Sequence, residues 1–323
     1  MIVVTGAAGF IGSCLVSKLN NEGYKDLILV DDFSNKEKNF NILGKKYIMK
    51  FEIAPFLSLI KPKDKNGVDF VFHIGACADT MEFNKELFDE YNLNYSKSIW
   101  KYCTENNIPL IYASSAASYG SGEFGYDDED MSLLYKFKPL NPYAESKNDF
   151  DKWVIEQTQT PPFWYGLKFF NVFGPNEYHK GTMASMIFHS YNQISKNGNV
   201  KLFKSYLPEY KNGEQLRDFI YVKDIINVIL FLMNKKDKFG IYNLGTGKAR
   251  SFLDIANSVF KTLNKIPNIE FIDIPLSIRD KYQYFTEAKM DKLRSISYDK
   301  NFYTLEDSID EYINRYLIKN SFY

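Results

Sequence analysis

The chain has 323 residues, enough for a large core and for two domains, and its 40 basic and 40 acidic residues cancel to zero net charge. This balance argues against a nucleic-acid-binding or membrane-surface protein, and the longest apolar stretch, Ile225–Met233, is shorter than the roughly 20 residues that cross a bilayer. The three cysteines lack the spacing of a zinc site, and the strand predicted from Ile2 leaves no room for a signal peptide, so we expect a cytoplasmic protein.

The first predicted strand, Ile2–Thr5, runs into a loop with the pattern Gly6-x-x-Gly9-x-x-Gly12. Glycines in such a loop let the backbone approach a pyrophosphate, whose charge is favoured by the N-terminus of the following helix. A second apolar strand, Leu27–Val30, ends in Asp31 and Asp32, at the spacing where an acidic residue binds an adenosine ribose. The pattern predicts a dinucleotide site, with an ordinary tight turn as the alternative.

Further apolar strands alternate with helical patterns along the first half of the chain, at Phe70–Ile74, Leu110–Ala113 and Tyr165–Phe169. This alternation predicts an α/β protein, with a Rossmann-type doubly wound parallel sheet and a smaller α/β substrate-binding lobe. We predict that residues 1–172 plus 218–248 form the dinucleotide-binding domain. Residues 173–217 plus 249–323 form the lobe.

Ligands of such sheets bind beyond the carboxyl ends of the strands. We therefore expect one rim of the sheet to carry the residues at these ends, namely Gly6, Asp31, Gly75, Ser115 and Asn171.

Tyr143 and Lys147 lie four residues apart in a predicted helix, Tyr143–Gln157, and so share one helix face. A nearby ammonium group lowers the pKa of a phenol, which lets Tyr143 exchange a proton with a substrate hydroxyl at neutral pH. Ser115, at the end of a predicted strand, is placed to hydrogen-bond the same substrate oxygen. An ordinary helix surface is the alternative for the pair, and helix capping is the alternative for the serine.

These motifs, together with Asn171-Val172-Phe173-Gly174-Pro175, resemble those of the extended short-chain dehydrogenase/reductases that act on nucleotide sugars, a family that includes NAD(P)-dependent epimerases. Segments beginning at His179, Lys201, Arg217 and Tyr282 resemble the ADP-L-glycero-D-manno-heptose 6-epimerases within it. The resemblance implies that C6 of the heptose is transiently oxidised and then reduced on a bound nicotinamide cofactor. It also implies a nucleotide-diphosphate sugar as substrate and a homo-oligomer.

The resemblance assigns proton transfer to two groups, Tyr143 and Lys180, with Lys147 holding the nicotinamide ribose and assisting Tyr143. Lys180 needs a neutral amine for part of the cycle, which burial favours, and pairing with the substrate's pyrophosphate is its alternative role. The implied substrate contacts are Ser115, Asn171, Thr182, His189, Phe203, Lys204, Ser205, Tyr206, Arg217 and Tyr282. A guanidinium suits a pyrophosphate, and the alternative for Arg217 is a pair with Asp218 or another nearby carboxylate. The alternative for His189 is a buried structural role.

The implied cofactor contacts surround the glycine loop and the strand ends. They are Gly6, Gly9, Phe10, Ile11, Gly12, Asp31, Asp32, Lys38, Ile74, Gly75, Ala76, Cys77, Ala78, Asn92, Lys147, Val172 and Lys180. Asp31 would repel the 2′-phosphate of NADP, but Lys36 and Lys38 follow closely, and the resemblance favours NADP with NAD as the alternative. A metal site is not expected, because the three histidines are widely separated.

Two features depart from the family pattern. Ile74 occupies a position that is often acidic, and the segment Ser205–Gly213 is longer than usual, which leaves the nucleotide open between ADP, GDP and another diphosphate. A UDP-hexose 4-epimerase or another nucleotide-sugar epimerase or reductase is an alternative function, whereas Ala116 and Ala117 disfavour a dehydratase. A non-catalytic dinucleotide-binding protein is the alternative from a different class.

Overall fold

The computed structural model describes residues 1–59, 67–279 and 282–323. The strands are β1 (Ile2–Thr5), β2 (Leu27–Val30), β3 (Met49–Phe51), β4 (Phe70–His73), β5 (Leu110–Ser115), β6 (Trp164–Phe169), β7 (Asn171–Phe173), β8 (Val200–Phe203), β9 (Leu216–Tyr221), β10 (Gly240–Leu244), β11 (Ala249–Ser251) and β12 (Ile269–Ile272). The helices are α1 (Phe10–Asn21), α2 (Lys36–Asn39), α3 (Ile53–Leu59), α4 (Lys85–Phe88), α5 (Tyr95–Glu105), α6 (Pro142–Ile155), α7 (Met186–Asn197), α8 (Val222–Asn234), α9 (Phe252–Thr262), α10 (Leu276–Arg279), α11 (Asp291–Ser295) and α12 (Leu305–Glu311).

The described residues form one large parallel sheet of seven strands, in the order β10-β6-β5-β4-β1-β2-β3. Every residue of β1, β2 and β4 is buried, because helices cover both faces of the sheet. The strand order reverses direction between β1 and β4, and a crevice at the carboxyl ends results there. The predicted fold class, a doubly wound Rossmann-type sheet, is confirmed.

The strand predictions agree best where the sequence is uniformly apolar. β1 and β2 have the predicted bounds, whereas β5 runs two residues further than predicted and includes Ser114 and Ser115. β3 escaped prediction because it is short and mostly exposed, so it lacks the apolar run of an inner strand.

Two smaller sheets lie in the second half of the chain. β7, β9 and β11 form one, with β9 in the middle, and β8 pairs in parallel with β12 in the other. β10 then returns to the edge of the main sheet beside β6. The proposed division of the chain into two domains stays a prediction. No helix in the described ranges is long and apolar enough to cross a membrane.

An aromatic cluster packs α5 and α6 against β5 and β6 of the main sheet. The Trp100 ring lies 5.0 Å from Trp164 of β6 and 6.2 Å from Trp153 of α6, measured between ring centroids. Tyr112 of β5 contacts Phe150 of α6 edge to face at 5.0 Å. Buried aromatic pairs of this kind hold α6 in a fixed position relative to the end of β5.

Candidate active site

The glycine loop joins β1 to α1 and leaves no room for a side chain at Gly6 or Gly12. Gly6 has a φ of +67°, and a Cβ placed on it would lie 2.6 Å from the Cα of Gly75, which follows the neighbouring strand β4. A Cβ on Gly12 would lie 2.1 Å from the carbonyl oxygen of Gly6. Gly9 precedes the first turn of α1, so the loop presents backbone N–H groups at a helix N-terminus, as a pyrophosphate site requires.

Asp31 holds this loop from the end of β2. Its buried carboxylate accepts the backbone N–H groups of Ala8 at 2.7 Å and of Gly9 at 3.1 Å, and the ammonium group of Lys38 pairs with its other oxygen. The charge of Asp31 is therefore compensated by Lys38. Asp32 is exposed and accepts the backbone N–H of Ser34 at 2.9 Å, and hydrogen bonds from Ser34 lower its pKa.

A hydrogen-bonded group behind the loop fixes the segment after β4. The ring of His73 bonds to the hydroxyl of Thr5 at 2.8 Å and to that of Ser96 at 2.9 Å, and Thr5 also accepts the N–H of Gly75 at 3.1 Å. Burial lowers the pKa of His73 to about 3, so the imidazole stays neutral. This role of Thr5 and His73 leaves no signal in the sequence, because it depends on the pairing of β1 with β4.

Asn92 lies behind the same segment and is buried. Its side-chain oxygen accepts the N–H of Cys77 at 2.8 Å, and its amide group donates to the carbonyl of Cys77 at 2.9 Å and to the hydroxyl of Ser146 at 3.1 Å. Asn92 thus connects the segment after β4 to α6. A direct contact between Asn92 and the cofactor stays a prediction.

α6 carries the tyrosine and the lysine of the predicted pair. Asn141 caps this helix by accepting the N–H of Ala144 at 2.8 Å, and Pro142 occupies the first turn, where its missing N–H costs nothing. The Ser115 hydroxyl acts on the Tyr143 phenol by lowering its pKa, and it accepts the N–H of Ala117 at 3.1 Å. Ser115 therefore caps the turn that follows β5, and its predicted contact with a substrate oxygen stays a prediction.

The predicted effect of Lys147 on the phenol stays a prediction. The pKa of Tyr143 is raised, because burial disfavours the phenolate more than the Ser115 hydrogen bond favours it. The Lys147 amine donates to the carbonyl oxygen of Ala113 at 2.8 Å. Burial lowers its own pKa to about 8, against the opposing charge of Asp151.

Lys180 lies in the turn Tyr178–Met183, with its amine 5.5 Å from the ring centroid of Phe10 at the start of α1. Burial lowers the pKa of Lys180, and the charge of Glu177 opposes this effect. Burial therefore acts in the direction that the catalytic role requires, toward the neutral amine.

Tyr143, Lys147, Ser115 and Lys180 all line one cleft of about 580 Å³. The predicted cofactor contacts that share this lining are Phe10, Ile11, Ile74, Ala76, Ala78 and Val172. The predicted substrate contacts that share it are Asn171, Arg217 and Tyr282. Sequence reasoning did not single out the lining residues Thr80, Met81, Phe83 and Asn141, which belong to no recognisable motif. Met183 and Gln283 also line the cleft and lie in the segments that begin at His179 and Tyr282.

Arg217 is a cation in the cleft lining, next to the predicted substrate contact Tyr282. Its guanidinium donates to the backbone carbonyls of Leu216 and Gln283 and stacks on Tyr282 at 5.4 Å. Asp218 does not form the pair considered for Arg217, since its oxygens accept N–H groups from Thr246 at 2.7 Å and Gly247 at 2.9 Å.

The other predicted substrate residues lie outside the cleft lining. Lys204 pairs with Asp273 at 3.3 Å, the Tyr206 hydroxyl donates to the same carboxylate at 2.6 Å, and the Ser205 hydroxyl donates to the Leu207 carbonyl at 2.9 Å. Phe203 contacts the Tyr282 ring edge to face at 5.9 Å. Thr182 is exposed, and its carbonyl lies 3.3 Å from a ring nitrogen of His189.

A family model described as the NAD dependent epimerase/dehydratase family matches residues 2–245. The chain belongs to this family. The predicted resemblance and the predicted enzyme class, an epimerase with a nicotinamide cofactor, are thereby confirmed.

Two relatives within the family are similar over nearly the whole chain. A Fusobacterium nucleatum protein named ADP-L-glycero-D-manno-heptose-6-epimerase is 46% identical and covers 100% of both chains. The crystal structure of the Helicobacter pylori enzyme of that name superposes with a TM-score of 0.79 at 27% identity, covering 97% of this chain and 95% of that one.

The family fold also extends to more distant enzymes. The Thermus thermophilus UDP-glucose 4-epimerase complex with NAD has a TM-score of 0.77 at 21% identity and covers 97% of each chain. At that identity the likeness concerns the fold alone. Among the described residues, no group of three histidine, cysteine or acidic side chains is arranged to hold a metal ion.

Proposed function

We propose that this enzyme inverts C6 of ADP-D-glycero-D-manno-heptose to give ADP-L-glycero-D-manno-heptose. The observation that carries the proposal is that two separate proton-transfer candidates, Tyr143 on α6 and Lys180 on the turn after β7, line the same cleft. Inversion through a carbonyl needs proton transfer in two orientations of the substrate, and two groups on different elements suit that need. The names of the relatives support the choice of sugar and nucleotide.

The cofactor side of the cleft fits a dinucleotide. The glycine loop, Asp31 and Lys38 would hold its adenosine half, and Lys147 its nicotinamide ribose. When bound, the nicotinamide supplies a reversible acceptor for the hydride at C6. We propose NADP, because Lys38 compensates the carboxylate of Asp31 that would otherwise repel a 2′-phosphate.

The chain's own residues would divide the remaining work. Ser115 would orient the substrate oxygen, and Tyr143 would accept or donate its proton, with the Lys147 ammonium favouring the phenolate when it turns toward the phenol. Lys180 would serve the opposite orientation, since burial lowers the pKa of its amine. Arg217 and Tyr282 would hold the diphosphate and the nucleotide.

Lys180 has an alternative role as a contact for the pyrophosphate. A Lys180→Met variant separates the two roles, because a lost acid/base group lowers kcat while a lost phosphate contact raises KM. We expect kcat to fall by about 100-fold or more with KM nearly unchanged. Wild-type turnover in this variant would rule out the acid/base role.

The decisive experiment is incubation of the purified enzyme with ADP-D-glycero-D-manno-heptose and analysis of the product by NMR. We expect inversion at C6 and no reaction with UDP-galactose. Epimerisation of UDP-galactose in its place would assign a 4-epimerase. No turnover of any sugar nucleotide by protein that binds cofactor would identify a non-catalytic dinucleotide-binding protein.

The exposed apolar side chains Phe40 and Leu43 support the further proposal of a homo-oligomer, which the resemblance implies. Sedimentation velocity measures the oligomeric state, and a monomer at micromolar concentration would contradict it.

A further inference from the structure

Both ends of the loop that carries Lys180, at Gly174 and Ser185, donate hydrogen bonds to the carboxylate of Glu177. Glu177 Oε1 accepts the backbone N–H of Gly174 at 3.3 Å and the hydroxyl of Ser185 at 2.7 Å, while Oε2 accepts the backbone N–H of Ser185 at 2.6 Å. Gly174 directly follows β7, and Ser185 is the N-cap of α7. The carboxylate therefore joins the start of the loop to its end.

A third element meets the same carboxylate. Tyr312, in the helical turn that continues α12, donates its hydroxyl to Glu177 Oε1 at 3.0 Å. Glu177 and Tyr312 are both fully buried. A charge held this deeply is normally compensated by hydrogen bonds, and the four donors around Glu177 provide them.

Lys180 depends on this loop for its place in the cleft. Its backbone N–H donates to the carbonyl of Glu177 at 3.0 Å, and its side-chain amine lies over the Phe10 ring. The next residue, Gly181, has a φ of +55°, and a Cβ there would have no neighbour within 4 Å. The tip is thus open at Gly181, and the closure at Glu177 joins the two ends of the loop, together with the ring contacts of Tyr178 with Phe188 and Phe322.

The same carboxylate acts on the charge of Lys180. Burial lowers the pKa of the Lys180 amine and the Glu177 charge raises it, while burial raises the pKa of Glu177 and the Lys180 charge lowers it. Neighbouring elements also bring titratable groups to this pair. They are Cys14 of α1, Tyr178 and His179 of the loop, and Tyr312 of the C-terminal segment.

We propose that Glu177 is the positioning residue for Lys180, closing the loop that carries the lysine and placing a buried negative charge in the same loop as its ammonium group. The effect of Glu177 on catalysis rests on the proposed function. Its effect on the position and charge of Lys180 is independent of that function, so this effect is measured without substrate.

Two variants separate the effect of the Glu177 charge from the effect of its side-chain length. Glu177→Gln keeps the length of the side chain and removes its charge, and Glu177→Asp keeps the charge but is too short to reach every donor. Asp224→Asn, which neutralises another buried carboxylate on α8 outside the cleft lining, is the matched control. Competitive labelling with acetic anhydride across a pH series, with the Lys180 peptide quantified by mass spectrometry, reports the fraction of neutral amine.

We expect the Lys180 labelling curve to move to lower pH in Glu177→Gln, and to coincide with wild type in Asp224→Asn. With substrate, kcat falls by about tenfold or more in both Glu177 variants with little change in KM, and the pH profile of kcat moves to lower pH in Glu177→Gln. An unmoved labelling curve in folded Glu177→Gln overturns the proposal and leaves Glu177 a structural residue.

If Glu177→Gln does not fold, Ser185→Ala takes its place, because it removes one donor and keeps the charge. Its kcat is expected to fall severalfold while its labelling curve stays in place, and wild-type kcat in both Ser185→Ala and Glu177→Asp overturns the proposal. Should the wild-type enzyme fail to epimerise the heptose, the proposed function fails alone, and the labelling of Glu177→Gln or Glu177→Asp still decides the position and charge of Lys180.

Discussion

At the residue scale, the chemistry of the cleft depends on how burial and hydrogen bonds act on each proton-transfer group. The phenol of Tyr143 is disfavoured as an anion by burial, whereas the amines of Lys147 and Lys180 are favoured as neutral groups by the same cause. Burial therefore disfavours the charged form of each of these three side chains, and a proton that one of them exchanges with a bound substrate is the step in which that charge changes.

Replacing Tyr143 with phenylalanine tests its role most directly. The ring contact with Phe88 at 6.4 Å remains, so we expect normal stability and cofactor binding. Turnover should fall by about 100-fold to 10,000-fold, because the proton-transfer hydroxyl is lost. Tyr135→Phe, which removes an exposed hydroxyl bonded to Glu156, is the control and should keep wild-type kcat. Equal kcat values in the two variants would contradict the assignment.

The proposal of NADP requires that Lys38 sets the preference of the enzyme for NADP over NAD. In Lys38→Ala the carboxylate of Asp31 loses its cation, so affinity for NADP should fall by about tenfold or more relative to NAD. Titration of both cofactors by intrinsic fluorescence measures the ratio, with the exposed Lys36→Ala as control. An unchanged ratio, or extraction of NAD alone from the purified protein, would assign NAD.

At the scale of elements, the strand–loop–helix unit of β1 and α1 was predictable because its constraints are local. Apolar residues, glycines at fixed spacing and an acidic residue after the next strand are enough to specify it. The bond of His73 to Thr5 of this unit and the bond of Asn92 to Cys77 after β4 were not predictable, since they depend on which strands and helices become neighbours.

Gly12→Ala tests how tightly this unit is packed. The added Cβ would lie 2.1 Å from the Gly6 carbonyl oxygen, so the loop must move. We expect a loss of stability of about 1–3 kcal/mol, seen as a lower Tm, together with weaker cofactor binding. Asn21→Ala, at the exposed end of the same helix, should change neither quantity. Unaltered cofactor affinity in Gly12→Ala would show that the loop does not form the pyrophosphate site.

At the scale of the whole molecule, buried carboxylates set part of the pH dependence of folding. Burial raises the pKa of Asp224 from 3.8 to about 7, although the N–H of Tyr303 donates to it at 3.0 Å. A raised pKa means that the folded state binds the extra proton, so this stability is full below pH 3.8 and is lost as pH rises through about 7.

Asp224→Asn should remove this dependence. The variant keeps an oxygen to accept the Tyr303 N–H and carries no charge, so its advantage over wild type should grow between about pH 4 and pH 7, up to about 4 kcal/mol. Urea unfolding at a series of pH values measures the difference. A constant difference across that range would mean that Asp224 titrates normally in the folded protein.

The sequence alone determined the fold class, the glycine loop, the tyrosine–lysine pair and the family, because each depends on residue types at short, fixed spacings. Only the tertiary structure showed that Asp31 holds the glycine loop together with Lys38, that Lys147 faces the carbonyl of Ala113, and that Glu177 closes the loop of Lys180. The physical reason is that pKa values and hydrogen-bond partners are set by burial and by neighbours distant in the chain. A local pattern specifies which groups are present, and packing decides what each of them contacts.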